Sequence, residues 1–472
     1  MWIKIGNTHS EVARGTDEEK AWLREYLSFP FTSWVGGRPR EEQVRYYSLV
    51  HENFPAGFTQ LVTKAAKDHG FTVDILDNRV APAGRDPNAD LMWLRDYQRD
   101  GVEVAIEKTR GILWVPTGGG KTEIAAGLAV AIPINWTFLV HRSTLLDQAA
   151  ERYEKRTGLT AMRIGDGRWD DWVGKTPSGQ QGSFTVATFQ TLSQQLESRD
   201  AAALFHRTQG LIIDECHVLP ADSFLKVAMA FKNAYYRLGL SGTPLARGDK
   251  RSILAISALG NVIYRIRNEV LQKAGVLAKA KIRLVPVYQE SDCPTWAGVY
   301  GECIVRSAKR NKVLADCATK ATKPALIFVK EIKHGKALLK RLEKDGVKAD
   351  FVWGSDTTDR RKDAVKRLVR GETEVLICSV IFQEGVDIPE LRSVVIGAGG
   401  KSVIAALQRI GRGMRVTEDK KEFEVWDIAD KGNTWLEKHT KTRLAAYTGE
   451  GHETVVLSSL GTEVQLKLVK TA

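Results

Sequence analysis

Apolar positions along this chain alternate between two patterns. Short unbroken apolar runs at 112–115, 136–140, 184–187, 211–213 and 238–240 have the length of strands buried on both faces. Between them lie longer stretches with helical patterning. This alternation, from about residue 90 to 265, predicts a parallel sheet with helices on both faces. A second alternation from about 322 to 430 has its strands at 325–329, 349–353, 375–379, 393–396 and 424–428. Between the two, the pattern predicts a strand at 281–288 and a basic helix around 304–319.

The first 88 residues read as a small α/β module. WIKIG begins as a strand. Thr16 and Glu19 form a capping-box pattern that opens a helix through Trp22 and Leu23 to Leu27, stopped by Pro30. A second strand is predicted at 44–50. Phe58, Leu61, Val62 and Ala65 then share one helical face closed by Gly70, and 71–76 is a further strand. APAGRDPN (81–88) has the Pro/Gly content of a linker, and HETVVLSSLGTEVQLKLVKT near the C-terminus reads as a β-hairpin folded back on the body. The expected organisation is an accessory module at 1–88, a first α/β core at 89–265, a linking region at 266–321, a second core at 322–450 and a hairpin tail at 451–472.

Composition narrows the class. A chain of 472 residues is too long for one core. No apolar run reaches the length of a membrane span, and the start lacks the apolar centre of a signal peptide. Cysteines 216, 293, 303, 317 and 378 are widely spaced with no C-x-x-C pair, which argues against a disulfide framework or a zinc site and for a reducing, cytoplasmic compartment. The formal charge of +12 points toward a polyanionic partner. Residues 1–88 hold 11 Lys+Arg against 12 Asp+Glu, so the excess lies in the remainder, with 58 against 45.

Candidate chemistry begins at GILWVPTGGGKTEIAAGLAV (111–130). A buried strand runs into three glycines, Gly118, Gly119 and Gly120, then Lys121 and Thr122 at the start of an Ala-rich helix. Strand, glycine turn and helix N-terminus make a phosphate-binding loop. Lys121 would reach the β- and γ-phosphates, and the Thr122 hydroxyl would ligate Mg2+. The general loop pattern has glycine where this chain has Val115. LIIDECH (211–217) is a strand whose end presents two acids. In an ATPase, Asp214 would hold Mg2+ through water and Glu215 would take a proton from the attacking water.

VPTGGGKT, DECH, SGTP and QRIGRGMR, in this order, resemble the motifs of superfamily 2 helicases and translocases of the DExH kind. The resemblance covers about residues 91–430. It implies two tandem RecA-like domains with ATP and Mg2+ in the cleft between them, and a loop of the form A-x-T-G-x-G-K-T, which the chain fits from Thr117 onward, with Val115 in place of alanine and no need of glycine there. By the same resemblance, RDYQ (95–98) makes Gln98 the adenine contact. FLVHRSTLLDQ (138–148), with His141 and Arg142, and VATFQTL (186–192), with Thr188 and Gln190, grip one nucleic-acid strand. His217, Ser241 and Thr243 couple hydrolysis to strand contacts, although Gly242 stands where the family more often has alanine. Gly385 and Asp387 face the nucleotide or strand. In QRIGRGMR (408–415), Arg412 and Arg415 are three apart on a helical pattern and share one face. The resemblance makes them arginine fingers on the γ-phosphate, with Gln408 opening the motif.

These motifs suit DNA and RNA motors alike. DECH in place of DEAD, and Gln408 where RNA remodelling enzymes carry histidine, favour DNA by resemblance. The layout is similar to UvsW-type phage helicases and more distantly to the RecG and XPB types. That similarity implies a monomeric, cytoplasmic DNA motor that remodels single-stranded, forked or four-way-junction DNA, with residues 1–88 recognising duplex or a branch point. An RNA helicase, a restriction-system motor and a nucleotide-gated strand clamp without productive hydrolysis remain as alternatives.

Overall fold

The computed structural model describes residues 1–35, 38–82, 84–170, 182–219, 222–242, 244, 252–379, 388, 390–400, 416, 420, 422–449, 451–459 and 462–464. The chain divides into two compact units, Met1–Pro116 with Gly120–Ile266 and Thr117–Gly119 with Arg267–Ala472. Among the described residues no helix is long and apolar enough to cross a membrane.

The first unit opens with β1 (Trp2–Ile5), β2 (His9–Arg14), α1 (Asp17–Tyr26), β3 (Ser28–Val35), β4 (Arg38–Arg45), β5 (Asn53–Pro55), α2 (Thr59–Asp68) and β6 (Asp74–Asp77). Four of these strands form one sheet in the order β5-β2-β1-β6, and β3 and β4 pair separately as a hairpin. Thr16 and Glu19 close a reciprocal capping box on α1, as their spacing predicts. Two expectations change. The helix ends at Tyr26, and Pro30 lies inside β3, where it opposes Gln43 across the hairpin. The strand expected at 44–50 instead spans Arg38–Arg45. Its RPREEQVR sequence carries too little apolar periodicity to be read as a strand.

Helix α3 (Asp96–Lys108) leads into the first large sheet, built from β7 (Arg110–Trp114), β8 (Asn135–Val140), β9 (Ala161–Gly165), β10 (Arg168–Trp169), β11 (Ser183–Thr188), β12 (Gly210–Asp214), β13 (Tyr236–Ser241) and β14 (Val262–Arg265). The strand order is β10-β9-β11-β8-β12-β13-β7-β14. All pairs are parallel except β9 with β10. Helices α4 (Lys121–Ala131) and α5 (Ser143–Thr157) follow β7 and β8, and α6 (Ser252–Leu259) precedes β14. The strands β11 and β13 are buried at every position, because a parallel sheet with helices on both sides leaves neither face to water.

The second unit repeats the architecture with β15 (Lys279–Tyr288), α7 (Ala308–Lys320), β16 (Ala325–Val329), β17 (Ala349–Val352), β18 (Val375–Ser379), β19 (Ser393–Ile396), β20 (Glu422–Lys431), α8 (Thr434–Gly449), β21 (Glu453–Ser459) and β22 (Thr462–Val464). Its order is β17-β18-β16-β19-β20-β15-β21-β22, and only β21 with β22 is antiparallel. The region 266–321, expected as a linker, supplies β15, which pairs along its whole length with β20 and on its other side with β21. The alternating parallel sheets and flanking helices are those of tandem RecA-like domains. The tail hairpin is described as far as Val464.

Candidate nucleotide site

Four loops meet because four strands are neighbours. The order β8-β12-β13-β7 puts the carboxyl ends of those strands in a row, where parallel α/β sheets bind ligands. Those ends carry His141, Asp214 with Glu215, Ser241, and the 115–120 loop. Register fixes the details, with Asp214 opposite Leu240 and Ser241 opposite Trp114. The Trp114 indole donates to the Gly242 carbonyl at 2.8 Å, tying the start of the phosphate loop to the end of β13.

The loop turns through two left-handed glycines, Gly118 (φ 87°) and Gly120 (φ 84°). Gly120 is the N-cap of α4, and the first intrahelical bond runs from the Ile124 N–H to the Gly120 carbonyl at 3.0 Å. The N–H groups of Lys121, Thr122 and Glu123 are therefore the donors that a helix start offers an anion. Gln98 is buried against this turn, and a Cβ on Gly120 would lie 2.2 Å from its Nε2. Its Oε1 accepts from the Arg95 N–H at 3.0 Å. Gly120→Ala is therefore expected to force a left-handed alanine, at a cost of about 1–2 kcal/mol, and to displace Gln98. Denaturant unfolding and a nucleotide titration of the same variant check both effects.

Across the loop, the Lys121 ammonium donates to Glu215 Oε1 and lies 3.7 Å from Asp214 Oδ1. Burial opposes the charge on Lys121, but the two carboxylates outweigh it and raise its pKa. Burial likewise opposes ionisation of Glu215, and the adjoining Lys121 ammonium overrides it, so its carboxyl sits well below the usual range. Asp214 goes the other way, raised by burial with the Glu215 charge adding to it. Glu215 holds a left-handed backbone (φ 47°), a strained conformation for a non-glycine residue. It is over-determined by Lys121, by the Ser241 hydroxyl donating to Oε2 at 3.3 Å, and by His217 Nδ1 at 3.2 Å from Oε2. His217 Nδ1 also meets Ser241 Oγ at 3.1 Å. Ser241 and His217, assigned above to coupling, thus touch the acid that would do the chemistry.

Asp214 Oδ1 is buried with no hydrogen-bond partner among the described residues. A buried carboxylate oxygen without a hydrogen bond beside a phosphate loop fits a hydrated divalent cation, and Thr122 on the first turn of α4 would be the residue to add a hydroxyl. Among the described residues no cluster of three or more His, Cys, Asp or Glu could hold a metal alone. Mg2+ keeps its waters and takes one or two protein ligands plus phosphate oxygens.

Of the residues expected on a nucleic-acid strand, Gln190 is exposed, whereas Thr188 is buried and its hydroxyl caps the next helix by accepting from the Thr191 N–H at 3.3 Å. His141 is half-buried just past the carboxyl end of β8. Arg142 is half-buried at the N-cap of α5. Thr243, Gly385, Asp387, Gln408, Arg412 and Arg415 lie outside the described residues. Pattern reading missed Glu123. It is buried on α4 and ion-paired at 2.9 Å to both Arg152 and Arg156 of α5, locking the phosphate-loop helix to its neighbour. A lone acid in an otherwise Ala-rich helix is the signal that could have found it.

A strand-loop-helix phosphate site with an acid pair on the next strand but one defines a P-loop nucleotide-binding protein. The comparisons with known proteins carry this to a family. The family "Type III restriction enzyme, res subunit" matches residues 91–246, and "Helicase conserved C-terminal domain" matches residues 308–417. The chain is 26% identical over 377 residues to helicase 22 of Sulfolobus islandicus filamentous virus, covering 74% of this chain and 66% of that one. It is 27% identical over 350 residues to the ATP-dependent DNA helicase uvsW of Enterobacteria phage T4, covering 71% and 68%. Among solved structures, a fragment of an HsdR subunit of a type I restriction enzyme from Vibrio vulnificus superposes with a TM-score of 0.51 at 18% identity, covering 93% of each chain. Together these matches support a superfamily 2 helicase that is UvsW-like. It spans about half to two thirds of the length of the first curated relatives it matches.

Proposed function

We propose that this chain is an ATP-hydrolysing DNA motor that unwinds or remodels branched DNA, regressing forks and migrating four-way junctions. The observation that carries the ATPase reading is the row Lys121, Asp214, Glu215 and Ser241 at the carboxyl ends of adjacent parallel strands. In this reading ATP lies with its phosphates at the N-terminus of α4. Bound Mg2+ would neutralise phosphate charge, held by Thr122 and, through water, by Asp214. Lys121 passes from the acid pair to the β- and γ-phosphates. Glu215 orients and deprotonates the attacking water, and Ser241 with His217 holds that carboxylate in place. Arg412 and Arg415 serve the γ-phosphate as the family motif implies.

The branched-DNA assignment rests on similarity to the phage and XPB-type helicases and on the basic excess outside residues 1–88. A motor that follows the backbone displaces counterions. Its affinity for DNA is expected to fall about 10³-fold between ~50 and ~200 mM salt, with little preference for base sequence. The deciding experiment is one panel of single strand, duplex, fork and four-way junction, with RNA counterparts, read for ATPase stimulation and ATP-dependent remodelling. Greater stimulation by RNA would overturn the DNA assignment. A motor of a restriction system is the second reading, favoured by the match of 91–246 to a restriction subunit and by the HsdR likeness in fold. Duplex translocation without strand separation in the same panel would select it.

A further inference from the structure

The carboxyl end of β7 carries a side chain to which the ATPase reading gives no role. Trp114 is half-buried, the last residue of that strand and the one that leads into the phosphate loop. Its backbone is built into both neighbouring strands, opposite Ser241 of β13 on one side and Arg265 of β14 on the other. The Val115 N–H donates to Ser241 O at 2.9 Å, and the Ile266 N–H donates to Trp114 O at 2.9 Å. The ring is held as well. The Arg265 guanidinium lies over it, 3.9 Å from the ring centroid, and the indole N–H donates to Gly242 O at 2.8 Å. A cation on the ring face and a hydrogen bond at its edge leave the indole one position.

That bond restrains the turn after β13. The pairing of β13 with β7 ends at Ser241, and the next residue is a glycine, the residue with the widest backbone freedom. The indole therefore fixes the Gly242 peptide where the ladder stops and a flexible position begins. Ser241 stands directly before that peptide. Its hydroxyl donates to Glu215 Oε2 at 3.3 Å and meets His217 Nδ1 at 3.1 Å. Glu215 depends on such ties, because its left-handed backbone (φ 47°) stores strain that relaxes when one of them slackens. Trp114 thus reaches the acid through one peptide and one hydroxyl, and every residue in this series belongs to the first unit.

We propose that Trp114 is a positioning residue for ATP hydrolysis, which holds the turn after β13 so that Ser241 keeps the Glu215 carboxylate aimed at the attacking water. This inference rests on the ATPase reading above. A group that orients a reacting water depends steeply on placement, because a shift of about 1 Å costs on the order of 10²-fold in rate. The groups that would take the phosphates are held by other bonds, Lys121 by the acid pair and the start of α4 by its own helix. Nucleotide affinity does not share the dependence on the indole.

The test uses the full chain with Mg2+, ATP and saturating single-stranded DNA, and reads kcat and KM separately. Trp114→Phe keeps a ring for Arg265 and removes the N–H. Ser241→Ala removes the hydroxyl at the other end of the series. Expected is a fall in kcat of about 10-fold for Trp114→Phe, with KM for ATP unchanged. Ser241→Ala is expected to lower kcat by at least as much. In the Ser241→Ala background Trp114→Phe should cost nothing further, because the hydroxyl it positions is already gone. A ring that served only the packing of β7 would raise KM, or lower kcat by the same factor in both backgrounds. Either result, or an unaltered kcat, overturns the inference and leaves the ATPase reading standing. No turnover by the wild-type chain overturns both. If Trp114→Phe melts early, Arg265→Gln decides, since it keeps the indole N–H and frees the ring face. A fall in kcat of about 3-fold, absent in the Ser241→Ala background, is then expected, and an unaltered kcat overturns the inference.

Discussion

Glu215→Gln is expected to bind ATP like the wild-type chain and to hydrolyse it at least about 10²-fold more slowly, the usual worth of a general base. The amide keeps the carboxylate's shape. Its Oε1 can still accept from Lys121, and its amide N–H can donate to the Ser241 hydroxyl, reversing the bond that ties the left-handed turn at 215 to β13. What is lost is the ability to take a proton. Lys121→Ala differs in kind, because it leaves Asp214 and Glu215 buried together without the cation that lies beside both. Nucleotide affinity and turnover should then fall together, from a lost phosphate contact and from repulsion within the acid pair. Steady-state ATPase with fluorescent-nucleotide titration separates the two variants. Wild-type turnover in Glu215→Gln would remove that residue from its role.

The parts of this site legible in the sequence are those whose neighbours are close along the chain. VPTGGGKT is one loop, and its function follows from glycine freedom and a helix start. LIIDECH is one strand end. Burial on both faces made their strands easy to read as apolar runs, as it did for β8, β11 and β13. The bonds that hold Glu215 were not legible, because Ser241 reaches it only when β13 is inserted between β12 and β7. Strand order is a long-range choice that no local pattern states. The same limit explains β15. Its apolar alternation was plain, but nothing in residues 279–288 says that they pair with β20 and β21. Short edge strands such as β10 and β14 failed for a different reason, since RW and VIYR carry too few positions to show a period. Thr188 carries a local role that the resemblance does not mention. The resemblance put it near phosphates, while the local chain uses the same hydroxyl as a helix cap.

Deleting residues 1–88 is expected to lower the melting temperature and to impair ATPase on single strands and junctions alike. Resemblance suggests a separable reader of branch points. The contacts describe a module built into the first unit. Its core of Ile3, Val12, Leu23, Phe54, Phe58 and Val62 is completed by Ile253 and Ile256 from α6. Gly57 lies so close to α6 that a Cβ there would stand 2.0 Å from Ile256 O and 2.4 Å from Ser257 O, both backbone atoms that cannot turn aside. Asn7 accepts from Arg110 through its carbonyl and donates its amide to Lys232 O at 3.1 Å. Arg79 donates to Thr109 Oγ1 at 3.0 Å and lies over the Tyr235 ring. Stripping this cover exposes two isoleucines and leaves Arg110 without one of its acceptors. The isoleucines, partly buried against this cover, are worth about 1–3 kcal/mol together, a drop in Tm of roughly 2–12 °C. Gly57→Ala in the full chain should move Tm the same way by less, since overpacking costs about 1–3 kcal/mol. A truncated chain that melts like the full one and loses only junction remodelling would make residues 1–88 the branch reader and these contacts incidental. Equal losses on every DNA would make them the missing wall of the first core, with β7 and its phosphate loop depending on Arg110 staying where Asn7 holds it.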